Sequence, residues 1–221
     1  RCTRSEVLII GRTIIKTRST LVTVLCALAV SAAGVHDYPA YRIGEKPTMD
    51  GNLDDAVWHG LPRGKGFLMV GGPGFAWRKP TSFRMGWTDD GLYVAVRCRE
   101  PFRHRIHPLT ADGDKLWSDE SVELFLSVDG KDYCQFIFNT VGARWHGKGS
   151  QEGTKEQPVR DWTATAGKPG DDWTAEVWIP FSVVGAKPQQ GDVWTFNIGR
   201  NAVLSPAVER HSCWAPVRRG F

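Results

Sequence analysis

One tryptophan of the chain lies where a core residue is not expected. Trp117 stands between a polar loop and Ser118-Asp119-Glu120, whereas Trp178 and Trp194 lie inside apolar runs. An exposed indole offers a flat apolar face to a ligand, and burial of apolar area contributes about 25 cal/mol per Å². The position therefore makes Trp117 a candidate for a functional role at the surface, with a core position as the alternative.

A carboxylate follows this tryptophan inside a hydrophobic run. Glu123 shares its predicted strand face with Phe125, so we expect it to be half-buried and to need hydrogen-bond donors. The guanidinium groups of Arg144 and Arg200 match a carboxylate in shape and charge. A structural ion pair and a ligand-binding cluster both fit this set, since donors and acceptors can be shared within one network.

The elements that must position these residues are predicted to be strands. Short alternating runs separated by Gly, Asp and Pro follow residue 35, without a long helical pattern. Asp89-Asp90-Gly91 predicts a hairpin turn. Strands are expected at 83–88, 92–99, 121–128, 133–141, 162–166, 173–179, 193–200 and 212–216, and loops at 62–80, 100–116 and 142–158. Seven or eight such strands predict an all-β fold, an antiparallel β-sandwich of the jelly-roll type.

The first 34 residues differ in composition from the rest of the chain. Lys16 and Arg18 precede a short apolar run that ends in the small residues 31–34, a pattern typical of a secretory signal. The apolar run is shorter than the roughly 20 residues that span a bilayer, and a retained anchor is the alternative. We predict an upstream and export segment over 1–34, one domain over 35–221, and a secreted or periplasmic location.

The charge of the chain argues against nucleic acid as a partner. The formal net charge is +4, but residues 1–34 hold five basic residues and one acidic residue, which leaves 23 of each sign in 35–221. The predicted domain is therefore about neutral and has no basic stripe. No membrane contact is expected beyond the signal segment.

The cysteines and histidines match no common catalytic or metal-binding pattern. Cys98, Cys134 and Cys213 lie in apolar runs, which predicts buried thiols, although an exported protein leaves a disulfide open. The sequence contains no paired histidines with zinc spacing, no nucleophile elbow and no phosphate-binding loop.

Six motifs follow one another in an order that resembles a known family. They are residues 49–58, 87–94, 116–125, 173–181, 191–201 and 213–216. Together they resemble the family 9 carbohydrate-binding modules, which are attached to xylanases and occur in many exported bacterial proteins. The resemblance covers about residues 39–221.

This resemblance implies a non-catalytic sandwich that binds glucan or xylan chains, as in cellulose and xylan, at their reducing ends in support of carbohydrate catabolism. Carried over by position, the implied sugar contacts are Trp117 and Trp214 as two walls of a slot, and Glu123, Arg144, Arg200 and His211 as polar groups. His211 departs from the family, which tends to have an amide side chain at that place.

The resemblance also implies partners and a metal. The partners are an oligosaccharide or polysaccharide and a glycoside hydrolase, either covalently linked or associated. No cofactor is required, but family members often carry structural calcium. Asp50 and Asp54 are candidate calcium ligands because carboxylate oxygens suit this ion, and turn capping is the alternative.

Two other classes of protein stay open. Related exported sandwiches hold a b-type haem between Met and His or Lys ligands, and this chain has Met69, Met85, His104 and His107. A catalytic fragment associated with a glycoside hydrolase would need two carboxylates about 5–9 Å apart, and the sequence nominates no such pair.

Overall fold

Two β-sheets form the part of the chain that the computed structural model describes, residues 12–14, 36–70, 79–150 and 152–217. The larger sheet contains β1 (Arg12–Ile14), β2 (Asp37–Pro39), β4 (Leu68–Met69), β7 (Ser121–Ser127), β8 (Tyr133–Asn139), β9 (Arg144–Ser150), β10 (Gly153–Gln157), β13 (Val193–Asn201) and β14 (His211–Cys213). The smaller sheet contains β3 (Tyr41–Arg42), β5 (Thr81–Trp87), β6 (Gly91–Arg99), β11 (Thr163–Gly167) and β12 (Asp172–Pro180). The helices α1 (Ala56–His59) and α2 (Phe181–Val184) are one turn long, so the fold is all-β.

The strand order is that of a sandwich whose two sheets are joined by connections at opposite ends. The larger sheet runs β10-β9-β8-β7-β13, and β13 also pairs with β1 near its start and with β14 near its end. The smaller sheet runs β11-β12-β6-β5-β3. Because β12 pairs with β6 and β13 pairs with β7, the connections β6–β7 and β12–β13 leave from neighbouring strands and arrive at neighbouring strands. This arrangement is the jelly-roll type of antiparallel sandwich.

Strand alternation builds the core between the sheets. The inward side chains of β6 and β7 include Val94, Val96 and Leu124, and all three are at most 1% exposed. Phe136 and Phe196 of neighbouring strands join the same cluster. Because successive side chains of a strand point to opposite faces, each strand that fills this core also presents residues outward.

The hairpin predicted at Asp89-Asp90-Gly91 is confirmed, since it joins β5 to β6. The exposed loop predicted over 142–158 is wrong, because these residues form the hairpin β9–β10 at the edge of the larger sheet. Their polar composition concealed the strands. Trp145 and Gly147 both lie on the outer face of β9. Because Gly147 has no side chain, Trp145 is the one large apolar residue that indicates a strand there.

A buried carboxylate of the smaller sheet anchors α1 and the loop that precedes it. Glu176 Oε1 accepts from Trp58 Nε1 at 2.7 Å, and Oε2 accepts from the backbone N–H groups of Gly51 at 2.8 Å and Asp50 at 3.0 Å. Burial raises the pKa of Glu176, while these donors lower it. Gly51 has a φ of +86°, and a Cβ there would lie 2.6 Å from the backbone of Ala166, so the loop requires glycine.

The three cysteines of the predicted domain are free thiols buried in the sandwich. Burial raises the pKa of Cys98 to about 12 and that of Cys213 to about 11. The prediction of buried thiols is confirmed. With these raised pKa values, Cys98 and Cys213 do not carry the thiolate that nucleophilic chemistry needs.

The predicted export segment falls on residues outside the described part, except for Arg12–Ile14, which form β1. Within the described residues, no helix has the length and apolar character needed to span a membrane.

Replacement of Trp58 by phenylalanine tests the loop anchor. We expect Trp58→Phe to lower the free energy of unfolding by about 1–3 kcal/mol, because it leaves the buried Glu176 short of one donor. Urea unfolding monitored by circular dichroism measures the loss. Trp178→Phe is the matched control, since Trp178 packs in the same cluster and its Nε1 has no hydrogen-bond partner among the described residues. Equal losses in the two variants would contradict the role given to the hydrogen bond.

Candidate functional site

The face of the larger sheet that points away from the core carries Glu123. Along β7, Val122 and Leu124 belong to the core, so Glu123 between them points outward. Cross-strand pairing places Gly199 of β13 directly opposite Glu123. Because Gly199 has no side chain, Asn201 two positions further along can reach Glu123 diagonally.

Four polar side chains on this outer face form one hydrogen-bonded chain across four strands. Gln135 Nε2 donates to Glu123 Oε2 at 2.7 Å, and Asn201 Nδ2 donates to Glu123 Oε1 at 2.6 Å. Asn201 Oδ1 lies 2.7 Å from His211 Nδ1. We assign the proton to Nδ1 because an amide oxygen only accepts. Gln135, Glu123, Asn201 and His211 are called the outer polar row below.

The ends of the outer polar row are more accessible than its centre. Glu123 is 3% exposed and Asn201 is 2% exposed, whereas Gln135 and His211 are half-buried. Burial lowers the pKa of His211, and the neighbouring Arg210 lowers it further. His211 is therefore neutral at pH 7, and with Nδ1 donating to Asn201 its Nε2 is an acceptor.

An aromatic pair lies beside the Gln135 end of the row. Trp117 belongs to a 3₁₀ helix, Leu116–Ser118, and its ring centroid lies 5.6 Å from that of Trp145, with the planes at 83°. Gly147 pairs with Gln135, and a Cβ on Gly147 would come within 2.5 Å of the Trp145 ring. The glycine thus lets the Trp145 ring lie across β9. Trp145 is 4% exposed and Trp117 is half-buried, so Trp117 is the accessible ring.

Asp119 fixes the loop that carries Trp117. Its Oδ2 accepts from the backbone N–H of Leu109 at 2.9 Å and from Asn139 Nδ2 at 2.8 Å. Its Oδ1 accepts from the backbone N–H of Glu120 at 2.7 Å. These bonds hold the 3₁₀ helix against the end of β8, so the position of the Trp117 ring is set by a buried carboxylate.

The structure does not place Trp214 opposite Trp117. Trp214 is 4% exposed and stacks on Phe196 in the core, with centroids 4.9 Å apart and planes 17° apart. Cys213 points outward at the end of β14, so the next residue points inward. The prediction of a slot with Trp214 as its second wall is therefore corrected.

Arg200 also lies on the core side of the sheet. It is fully buried, and its Nε and Nη2 donate to Glu120 Oε1 at 3.1 and 2.7 Å. Burial raises the pKa of Glu120, although Arg200 acts in the opposite direction. The prediction that Arg200 pairs with Glu123 and contacts sugar is wrong, because Arg200 points into the core and its neighbour Asn201 is the residue that points outward to Glu123.

Arg144 lies on the inward side of β9, away from the outer polar row. Its Nη2 donates to Asp112 Oδ2 at 2.6 Å, and its Nη1 donates to the backbone carbonyl of Trp162. The guanidinium carbon also lies 5.6 Å from the centroid of the Trp162 ring. These contacts give Arg144 a structural role at the sheet edge and separate it from Glu123.

The candidate calcium ligands do not form a ligand set. Asp50 accepts from the backbone N–H and the side-chain amide of Asn52 at 2.8 and 3.2 Å, which is turn capping. Asp54 is exposed. No group of three His, Cys, Asp or Glu side chains suited to a metal ion occurs within the described ranges. Calcium binding at Asp50 and Asp54 stays a prediction.

The candidate haem ligands are dispersed. Met85 is 2% exposed and packs in the core, and Met69 packs against that core from β4. His104 and His107 are exposed on the loop after β6. Met85 therefore serves packing and is not available to an accessible haem site.

Sequence reasoning missed Gln135, Asn201 and Trp145 as members of this face. Side chains alternate between the two faces along each strand. The pairings of β7 with β8 and β13 show which residues of these strands lie on the same face as Glu123. That pairing register cannot be read from one strand alone. Asn197, another outward residue of β13, binds the backbone of Ala215 and so holds the chain after Trp214.

Comparison with known proteins identifies the fold. No family model matches the chain, and no curated protein matches it by sequence. A family 9 carbohydrate-binding module from Caldicellulosiruptor kristjanssonii, solved with cellotriose, is 18% identical, with a TM-score of 0.55 over 79% of this chain and 81% of that chain. A candidate carbohydrate-binding protein from Bacteroides uniformis is 17% identical, with a TM-score of 0.62 over 80% and 87%. The chain therefore shares the sandwich fold of the family 9 carbohydrate-binding modules.

Replacement of Arg200 distinguishes a buried structural cation from a surface contact. We expect Arg200→Met to lower the free energy of unfolding by about 3–5 kcal/mol, because it leaves Glu120 buried without its cation. Chemical denaturation measures the loss. Arg105→Met is the control, since Arg105 is exposed and its replacement should change stability by at most about 0.5 kcal/mol. Losses of the same size in both variants would contradict the structural role.

Proposed function

We propose that the protein binds a saccharide, without cleaving it, on the outer face of the larger sheet. The observation that carries this proposal is the outer polar row beside the accessible ring of Trp117. A sugar ring has apolar C–H faces and polar edges. It therefore fits a surface that joins an indole face to fixed hydrogen-bond donors and acceptors.

The residues of this face divide into contacts and supports. Trp117, Gln135 and His211 are the accessible groups, and we assign them the direct contacts with the sugar. Glu123 and Asn201 are buried between them, and their hydrogen bonds fix the orientation of Gln135 and His211. Such fixed side chains lose little conformational entropy on binding, which favours affinity.

The chemistry of this face favours binding over catalysis. Glu123 is the only carboxylate of the outer polar row, and it accepts hydrogen bonds from Gln135 and Asn201. Glycoside hydrolysis by the usual route needs two carboxylates flanking one glycosidic bond. A single buried carboxylate engaged by two amides fits the role of a support for neighbouring donors.

The similar structure from Caldicellulosiruptor was solved with cellotriose, which supports a β-glucan as the ligand class. We propose glucan or xylan chains, bound at their reducing ends, as the ligands. The proposed setting is carbohydrate catabolism outside the cytoplasm, together with a linked or associated glycoside hydrolase.

Replacement of Trp117 tests the stacking contact. We expect Trp117→Ala to weaken binding of cellobiose or xylobiose by at least about tenfold, which corresponds to roughly 1.4 kcal/mol. Isothermal titration measures the affinity, and thermal unfolding shows whether the fold is kept. Trp178→Ala is the control, because Trp178 is a half-buried tryptophan of the other sheet. Unchanged affinity in a folded Trp117→Ala protein would refute the proposed site.

Reduction of the sugar tests which end of the chain is bound. We expect cellobiitol, in which the reducing-end ring is open, to bind at least about tenfold more weakly than cellobiose, because an open chain cannot stack as a flat ring. The same titration measures both ligands. Equal affinities would exclude reducing-end recognition while leaving sugar binding in place.

A further inference from the structure

A groove of about 460 Å³ lies on the outer face of the smaller sheet, on the opposite side of the sandwich from the outer polar row. This volume is within the range of about 300–1,000 Å³ that is typical of small-molecule sites. Ser82 and Arg84 of β5, Arg97 of β6 and Thr174 of β12 form its floor, and Arg63 stands at its wall.

Strand register explains why these side chains share one face. Ser82 pairs with Arg97, and Arg97 pairs with Thr174, so the three form one row across β5, β6 and β12. Arg84 pairs with Ala95 in the next row. Because Ser82, Ala95 and Thr174 are small, the floor is low between the arginines and leaves room for a ligand.

The groove concentrates positive charge that nearby carboxylates neutralise only in part. Arg97 Nε lies 3.0 Å from Asp172 Oδ2. Arg63 and Arg84 have no carboxylate oxygen within ion-pair distance among the described residues. Burial lowers the pKa of Arg84, and the positive charges of the neighbouring Arg63 and Arg97 lower it further. An anion between them would offset these like charges.

Hydrogen bonds also fix the orientation of two of these arginine side chains. Arg84 Nε donates to the backbone carbonyl of Leu61 at 3.3 Å, and Arg63 Nη2 donates to Ser82 Oγ at 3.1 Å. These bonds use one N–H group of each guanidinium and fix its direction. The remaining N–H groups form the planar fork that matches a carboxylate.

The rest of the lining favours a sugar over a bare inorganic anion. Leu53 and Pro169 offer apolar contacts, and Asn52, Asp54 and His59 offer polar groups suited to hydroxyls. The carboxylate of Asp54 disfavours a multiply charged ion. We propose that this groove binds an acidic saccharide, with the carboxylate of a uronic acid held by Arg63, Arg84 and Arg97. The saccharide part of this proposal rests on the proposed function.

Titration with a matched pair of sugars tests the proposal. Glucuronate and glucose differ at one carbon, and we expect glucuronate to bind at least about tenfold more tightly, with an affinity that falls as salt rises. We expect Arg84→Gln and Arg63→Gln each to weaken glucuronate binding at least about tenfold. Arg105→Gln makes the same change in charge outside the groove and should leave the affinity unchanged. If Arg84→Gln fails to fold, the exposed Arg63 supplies the test.

Additional binding measurements distinguish this proposal from the saccharide site proposed on the larger sheet. We expect Trp117→Ala to leave glucuronate binding intact and Arg63→Gln to leave cellobiose binding intact. Loss of glucuronate binding in Trp117→Ala would place the acidic sugar on the outer polar row and overturn the groove. Equal binding of inorganic phosphate or sulfate would overturn the saccharide assignment. Glucuronate binding that depends on Arg63, in a protein that binds no cellobiose, would support the groove and refute the function proposed for the other face.

Discussion

A set of four charges, three of them fully buried, joins the two sheets of this sandwich. Arg200 of the larger sheet donates to Glu120 and to the backbone carbonyl of Arg99 in the smaller sheet. Lys79 pairs with the fully buried Glu100, whose Oε2 lies 3.6 Å from Arg200 Nη2. Desolvation of these ions is costly, and only the complete set offsets that cost. The crossover from β6 to β7 leaves from Arg99, next to this cluster, and Trp173 at the start of β12 donates to Glu120 from the same side.

The same constraint decides which residues reach the outer face. Because Arg200 must point inward to meet Glu120, Gly199 and Asn201 must point outward on β13. Gly199 opens the space opposite Glu123, and Asn201 fills it from the side. The buried ion pair and the outer polar row are therefore two consequences of one strand register, and a slip by a single residue would exchange them.

The sequence was sufficient to predict the sandwich, because alternation in β5, β6, β7 and β12 and the Asp89-Asp90-Gly91 turn are local signals. It also drew attention to Trp117 and Glu123, since each breaks its local pattern, and their binding roles stay proposals. It was insufficient to predict the side of the sheet to which Trp214 and Arg200 point, because that depends on pairing partners distant in the chain. The hairpin β9–β10 was missed for a related reason, since its glycines make room for the rings of Trp145 and Tyr133 and leave few apolar residues to recognise.

The two outer faces of the sandwich differ in chemistry because different side chains surround the small residues that lower each surface. On the larger sheet, glycines at 147 and 199 lower the surface, so neutral amides, an imidazole and indoles lie close to the backbone. On the smaller sheet, Ser82 and Thr174 lower the surface, and long arginines stand around them. Side chains held in a hydrogen-bonded chain discriminate by hydrogen-bond direction, whereas partly neutralised guanidinium groups discriminate by charge. The two proposed saccharide surfaces are compatible with one sandwich, because strand alternation leaves both outer faces free of the demands of the core.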